Sequence, residues 1–518
     1  MGALEIGVIA LIYVALLFLL GRWAERYRRL TLARWLPLMY GLSFAVYCSS
    51  WSFLGAEGQA SQQPWSFLPI FLAPILLFSF GFGLLRRVVQ AAKQQNITSV
   101  ADFIASRYGK SQGLAAVVTL IAMLGLMPYM ALQLNAMVLA FTALAPAPLV
   151  TLDHTGPITQ MLNSERSLAL LLALILALLA MLFGTRKLDS SEHNPGMTVA
   201  VAFDAIMKLA IFLVVGGVVL AYAGGPSALW MQLQAQPEQP SYQLDLLDIA
   251  PATCLAMAAF LALPRMFHVL VVENQQVEDL CRNRWTFPVY LLLFMSMVVP
   301  LSVAGLVFLP ANISVDIMVI ALPQQLELKG LTALAMLGAL SAATSMVVVG
   351  AVAMAIMISN EWVIPLLLRS HRIKSNNFAQ LQQRLLNLRR VIILLMLLGA
   401  YGAYWLFGSS VSLSHIGLFA FGAFAQLAPA IVGAVYWRRG HRYGVFAGLL
   451  IGLLGWLFVA APHITLLEHS WHWFGYETDA SRLLLVLLAN MLGYVLVSLL
   501  AIPSVTDRVQ ANVFTQGN

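Results

Sequence analysis

Runs of about 20 apolar residues, each long enough to cross the hydrocarbon core of a bilayer, recur from one end of this chain to the other. Nothing else in the sequence limits the possible folds so sharply. Of 518 residues, 60% belong to the AVILMFWYC class and only 10% are charged, against about 25% charged in an ordinary globular domain. Such a chain has too few polar side chains to cover a water-facing surface. In hydrocarbon every backbone N–H and C=O must find a partner, which a run of this length does as a helix. Candidate spans lie near 3–20, 36–57, 67–85, 114–144, 167–184, 197–223, 249–272, 285–309, 331–359, 390–407, 414–437, 443–461 and 482–502. The chain therefore reads as an all-α polytopic membrane protein with about 13 transmembrane helices. No basic residue precedes the first run between Met1 and Gly7, so it is expected to stay as a span and not to be cleaved as a signal peptide.

Charge sets the orientation. Of the 29 lysines and arginines, all but Arg166, Lys208, Arg265, Lys329 and Arg482 fall in loops that follow odd-numbered spans or in the C-terminal tail. By the positive-inside rule the N-terminus lies outside and the C-terminus in the cytoplasm. The net charge of +7 thus follows from topology, and no nucleic-acid partner is expected. Cys48, Cys254 and Cys281 are too few and too dispersed for a disulfide framework or a metal site, and read as ordinary thiols. The longest polar segments are 226–248 outside and 369–389 inside, too short for a soluble catalytic domain. Leu381, Leu385 and Leu388 in the inner one suit a short surface helix at an anionic leaflet, with a solvated connector as the equal alternative. His463, His469 and His472 near Glu468 are read as an ordinary outer loop in preference to a metal site. There is no H-E-x-x-H, no G-x-S-x-G, no phosphate-binding glycine loop and no intramembrane carboxylate pair, so no enzyme activity is expected.

Function is sought where polar groups enter the apolar pattern, because each costs several kcal/mol if left unpaired in hydrocarbon. The second span holds Tyr47-Cys48-Ser49-Ser50-Trp51-Ser52-Phe53-Leu54-Gly55. A break there would offer bare N–H and C=O groups to a solute or cation, whereas intact helix would bond its serines back to the preceding turn. In the ninth span, Ser341, Thr344 and Ser345 share one face at spacings of three and four. They form either a partial oxygen shell for a hard cation or interhelical packing contacts. Asp204 and Lys208, four apart in the sixth span, can pair; intramembrane charges are functional candidates, Asp204 ahead of Lys208. The seventh span carries Phe260 and then Pro264-Arg265-Met266-Phe267-His268, and the proline breaks or kinks it. His268 is a proton candidate or a satisfied packing residue. The seventh span lies five after the second, and interruptions at matching positions of two halves point to an inverted-repeat transporter. Gly444, Gly448 and Gly452 read as close helix packing.

Three segments carry a family resemblance: Ile97 to Gly109, Pro128-Tyr129-Met130-Ala131-Leu132-Gln133, and Ala428-Pro429 through Trp437-Arg438-Arg439 to Gly452. In these the chain resembles the sodium:solute symporter (SSS, SLC5-like) family. The resemblance implies a LeuT-type core of two inverted five-helix repeats, within 36–223 and 249–437. The core would be preceded by an extra helix and basic loop over 1–35, and followed by two helices over 443–502 and a cytoplasmic tail over 503–518. The segments Tyr47 to Gly55 and Leu263 to Asn274 look like the transporter-like input domains of bacterial sensor histidine kinases of the CbrA type. Thr506 to Phe514 resembles the start of the connector to the kinase.

That resemblance implies cation-coupled uptake of an amino acid, L-histidine first, across a bacterial inner membrane. A kinase module and a response regulator would be partners, and a sensing receptor with little or no transport is the alternative. Carried over position by position, a sodium site would use the carbonyls of Ala45 and Cys48 with the hydroxyls of Ser341, Thr344 and Ser345. Asp204 would lie beside it. Where sodium-coupled proline carriers have an aspartate in the second span, this chain has Tyr47, which leaves H+ as an alternative coupling ion to Na+, with Asp204, Lys208 and His268 as candidate carriers. Ser49, Ser50 and Trp51 would receive the solute's carboxylate and ammonium, and Phe260, Tyr129 and Gln133 would face the same cavity. No cofactor is implied.

Overall fold

The computed structural model describes residues 3–26, 35–144, 165–184, 195–236, 240, 242–310, 313–369, 378–407, 412–460 and 478–515. Every regular element among them is helical. Nine described helices are long and apolar enough to cross a bilayer. Two more crossings are bent pairs: Leu68–Ser79 with Phe82–Gln94 at 72°, and Leu246–Ala262 with Pro264–Val272 at 55°. The first span, Ala3–Arg26, and the second, which starts at Leu36, bring the set to the spans that the hydropathy predicts.

Both candidate breaks are present, with local causes. In the second span the helix Leu36–Ser43 tightens into a 3-10 turn over Phe44–Tyr47. The Cys48 N–H then closes on the Ala45 carbonyl at 3.0 Å, and Cys48 leaves helical geometry at ψ 98. The chain re-enters through a π-helical segment, Trp51–Gly55, and ends in Ala56–Gln62. In the seventh span the helix stops at Ala262, and Leu263 is extended at ψ 120. Pro264 is the reason, since its ring disfavours α geometry in the residue before it. A π-helical segment, His268–Val272, again follows the break.

Three boundaries differ from the hydropathy reading. The third span does not run straight to residue 85, because it turns at Phe80–Gly81 into an amphipathic arm that cannot stay in hydrocarbon with Arg86, Arg87, Gln90 and Lys93 on it. Leu381, Leu385 and Leu388 do not form a separate surface helix. They belong to Phe378–Phe407, which is continuous with the tenth span, and no proline or glycine interrupts the sequence before Gly399. The ninth span continues past residue 359 through a π-helical segment, Ser359–Val363, to Arg369. The outer histidines His463, His469 and His472 lie outside the described residues.

The ninth span is the axis of the molecule: its most apolar stretch is buried over its whole length, and it packs against the fourth, fifth, sixth and tenth spans. Gly444, Gly448 and Gly452 let the twelfth span, Arg442–Ala460, lie directly against the thirteenth. A side-chain carbon at Gly448 would fall 2.6 Å from the Asn490 amide oxygen.

The Ile97–Gly109 motif is a structural staple. Ser99 caps the helix Val100–Arg107 by accepting the Asp102 N–H. The buried Arg107 guanidinium donates to the carbonyls of Ala434 at 3.2 Å and Trp437 at 2.9 Å, tying that helix to the end of the eleventh span. Against it packs a last helix, Val505–Thr515. Phe514 meets Phe103 edge-on at 5.3 Å, and Phe103 meets Phe267 of the seventh span at 5.7 Å.

Candidate functional site: an ion-pair centre and an aromatic chamber

Two polar centres lie where the broken spans meet the rest of the bundle. The first is built on the sixth span, Pro195–Tyr222. Asp204 and Lys208 are each 1% exposed and pair at 3.1 Å. Asp204 also accepts hydrogen bonds from Tyr13 of the first span and Ser341 of the ninth. The Lys208 ammonium donates to the Cys48 carbonyl at 2.9 Å and to the Ser345 hydroxyl at 3.3 Å. Three spans therefore converge on one buried ion pair, whose charges are stable in this setting only because each is paired and hydrogen-bonded.

That arrangement bears on the expected sodium shell. Cys48, Ser341 and Ser345 are gathered at this centre. Thr344 is buried beside them and makes none of these bonds, and the Ala45 carbonyl is engaged by Cys48 N–H. Two of the five expected ligands, the Cys48 carbonyl and the Ser345 hydroxyl, already face the Lys208 ammonium, and Ser341 donates its proton to Asp204. A Na+ bound here would share the Cys48 and Ser345 oxygens with that ammonium.

The second centre is a chamber of aromatic rings. Tyr47 packs against Phe260 at 5.5 Å, Trp51 against Phe421 at 5.1 Å, and Tyr129 stacks on Phe421 at 5.8 Å. Ser49 shares a hydrogen bond with the Tyr129 hydroxyl at 3.0 Å. Where the second span is broken, the Ser50 N–H donates to the Gln133 side-chain oxygen at 3.1 Å, and the other end of Gln133 donates to the Tyr129 carbonyl at 3.3 Å. All six residues expected to line a solute site, Ser49, Ser50, Trp51, Tyr129, Gln133 and Phe260, are buried. Gly417 is required beside them, since a Cβ there would collide with the Trp51 ring. A cavity of about 200 Å³ is lined by Trp51 and Phe421 together with Ser412 and His415; of the six expected residues only Trp51 lines it, and Ser49, Ser50, Tyr129, Gln133 and Phe260 lie packed behind these rings.

His268 belongs to neither centre. It pairs with Glu273 at 3.4 Å, and the other Glu273 oxygen accepts the Thr198 hydroxyl at 3.0 Å. The structure adds three residues that the sequence reading did not use. Tyr13 sits in a run with no polar neighbour to mark it. Phe421 is one aromatic among many in an apolar span. Arg265 was visible as a charge within a span, without a role: its guanidinium lies over the Tyr129 ring at 4.6 Å and donates to the Tyr129 hydroxyl at 2.9 Å and the Tyr47 carbonyl at 3.3 Å.

No family model and no curated protein matches the chain. Among solved structures it is similar to a substrate-bound, outward-open Na+-coupled sialic acid symporter, at 15% identity, covering 96% of this chain and 98% of that one with a TM-score of 0.66. A weaker likeness, with a TM-score of 0.47 at 14% identity over 92% of this chain and 95% of the other, is to Mhp1, a nucleobase-cation-symport-1 family transporter in a closed conformation with bromovinylhydantoin bound. The first of these shows the fold: a helical membrane protein of the LeuT type, with a core of two inverted five-helix repeats.

Proposed function

We propose that the chain is a secondary transporter that takes up an amino acid, L-histidine first, across a bacterial inner membrane, with its N-terminus outside and its C-terminus in the cytoplasm. One observation carries the reading. Two spans five apart are broken, and the carbonyls freed in the second, those of Tyr47 and Cys48, turn to buried cations at the edge of one aromatic chamber. Broken helices that turn backbone dipoles toward a buried site are how proteins of this architecture hold small polar solutes. Aromatic walls with a few polar groups suit an imidazole ring. The cavity above Trp51 and Phe421 supplies the approach, and these two rings close it from the chamber.

The coupling ion follows from the ion-pair centre. The solved neighbour is described as Na+-coupled, whereas here an ammonium occupies two of the expected ligand oxygens. We therefore read H+ as the coupling ion, carried at the Asp204–Lys208 pair, with Na+ as the competing outcome. The titratable groups around the pair are Tyr13, bonded to Asp204, and Cys48, whose carbonyl accepts from Nζ; Tyr290 donates to the Ala205 carbonyl on the same span. While charged, Lys208 holds the second span against the ninth. Proton exchange at the Asp204–Lys208 pair, which neutralises both charges together, would loosen that tie, so the two states of the site would differ in affinity for solute, as coupling requires.

Uptake of labelled histidine into proteoliposomes, with pH and sodium gradients imposed separately, tests both parts. Uptake driven by the pH gradient is expected. Uptake driven by sodium alone would overturn the choice of ion, and no uptake of any amino acid under either gradient would overturn transport. A second reading is a solute receptor, the sensing domain of a histidine kinase with a response regulator downstream. The ring series Phe267–Phe103–Phe514 favours it, since it joins the broken seventh span to the last helix. Saturable binding without counterflow would mark that case.

A further inference from the structure

We propose that Arg265 is the counter-charge for a carboxylate of the solute, so that the chamber selects anionic or zwitterionic carboxylates over their uncharged analogues. The inference rests on the transport reading and names its substrate class. Arg265 is fully buried. It stands immediately after the break in the seventh span, on Pro264–Phe267. Its Nη2 is satisfied by Tyr129 and the Tyr47 carbonyl, but Nε and Nη1 have no hydrogen-bond partner. Among the described residues no carboxylate pairs with it. Of the buried carboxylates on the second, sixth and seventh spans, Asp204 is taken by Lys208, Tyr13 and Ser341 and Glu273 by His268 and Thr198, while Glu57 keeps both oxygens without a hydrogen-bond partner and does not reach the guanidinium.

A buried guanidinium without an anion is costly, because a charge out of water is tolerated only when paired and fully hydrogen-bonded. The fold keeps one here, and keeps its open nitrogens among other unused donors. The Tyr47 hydroxyl, the Ser50 hydroxyl and the Trp51 indole N–H are all buried and without partners. The Tyr47 and Trp51 rings connect to Arg265 through Phe421 and Tyr129, and Ser50 precedes Trp51 at the same break. An indole N–H and a guanidinium can only donate, so the group that completes this set must accept several hydrogen bonds. A carboxylate does so, with charge-assisted bonds that are the strongest available to a guanidinium. A neutral ligand of the same shape would leave the positive charge uncompensated. That asymmetry gives far steeper rejection than a missing apolar contact, of the order of a thousandfold or more.

The experiment is ligand-induced thermal stabilisation of the full purified chain by L-histidine, L-histidinamide and histamine, in the parent and in Arg265→Gln and Arg265→Lys. In the parent, histidine should stabilise at concentrations at least tenfold below the amide and histamine. Arg265→Gln should erase the preference for acid over amide, and Arg265→Lys should keep part of it. Amide binding as strong as acid binding in the parent overturns the proposal without any variant. So does Arg265→Gln that folds and still prefers the acid. If the parent ignores histidine, the same comparison is run with the other amino acids, lactate and pyruvate against their amides. Stabilisation by a carboxylate then keeps Arg265 in its role while histidine falls, and stabilisation by none overturns the inference.

Discussion

Lys208 carries the heaviest consequence of any single side chain. Truncating it to Ala leaves the Asp204 carboxylate buried without its cation, a loss of about 3–5 kcal/mol for one-sided removal of a buried pair. It also empties the space between the Cys48 carbonyl and the Ser345 hydroxyl, beside an uncompensated negative charge. Sodium chloride, unlike choline chloride, should therefore raise the unfolding temperature of Lys208→Ala and leave the parent unmoved; an identical salt response in the two proteins would refute an ammonium standing in for an ion. Asp204 and Lys208 could be paired from their spacing alone, and the structure pairs them. What spacing could not supply was the third party. The contact of Lys208 with Cys48 spans 160 positions in sequence, and a hydroxyl face in the ninth span does not announce whether a free ion or a side chain will face it. Arg265 was equally visible and equally mute, because its significance lies in partners it lacks.

Among the elements, the two broken spans were legible for different reasons. Pro264 dictates the break before it through local sterics. The break at Cys48–Ser49 has no proline, only a cluster of short hydroxyl side chains that weakens helix locally, so the sequence left intact helix as a live alternative. The bend at Phe80–Gly81 is not legible in the run, which crosses it with no charged residue until Arg86 and only Ser79 to interrupt it. At the end that carries the basic loops, the last helix is held by His441, whose Nε2 lies 3.4 Å from Asp507 while its Nδ1 accepts the Tyr443 N–H at 3.2 Å. Burial pushes the His441 imidazole below its ordinary value of 6.5, outweighing the pull of Asp507. The native protein thus prefers the neutral ring. The associated stability is whole above pH 6.5 and drains away as pH falls through the lowered value, where the unfolded chain binds more protons. Unfolding temperatures of the parent should therefore drop more steeply below that pH than those of His441→Gln, and parallel profiles would remove His441 as the cause.

The molecule as a whole is more closely knit than a ten-helix core with accessories. Its span count and helical class were legible in apolar run lengths, because a bilayer sets that length independently of tertiary structure. The engagement of the first span was not, because Tyr13 reaches Asp204 across 191 positions. Tyr13→Phe should destabilise the protein by about 1–3 kcal/mol, the cost of stripping a donor from a buried acceptor, although the residue lies in a helix that the repeat architecture does not require; a denaturation midpoint matching the parent would show that the contact is incidental. The opposite end has its own mooring. The helix Val505–Thr515 grips the staple beneath the bundle, and the staple touches the fractured seventh span ring upon ring. On the proposed reading, a bulky dye hung beyond Thr515 would swing from the same hinge that meets the passenger, and its tumbling would register whether the seat is taken.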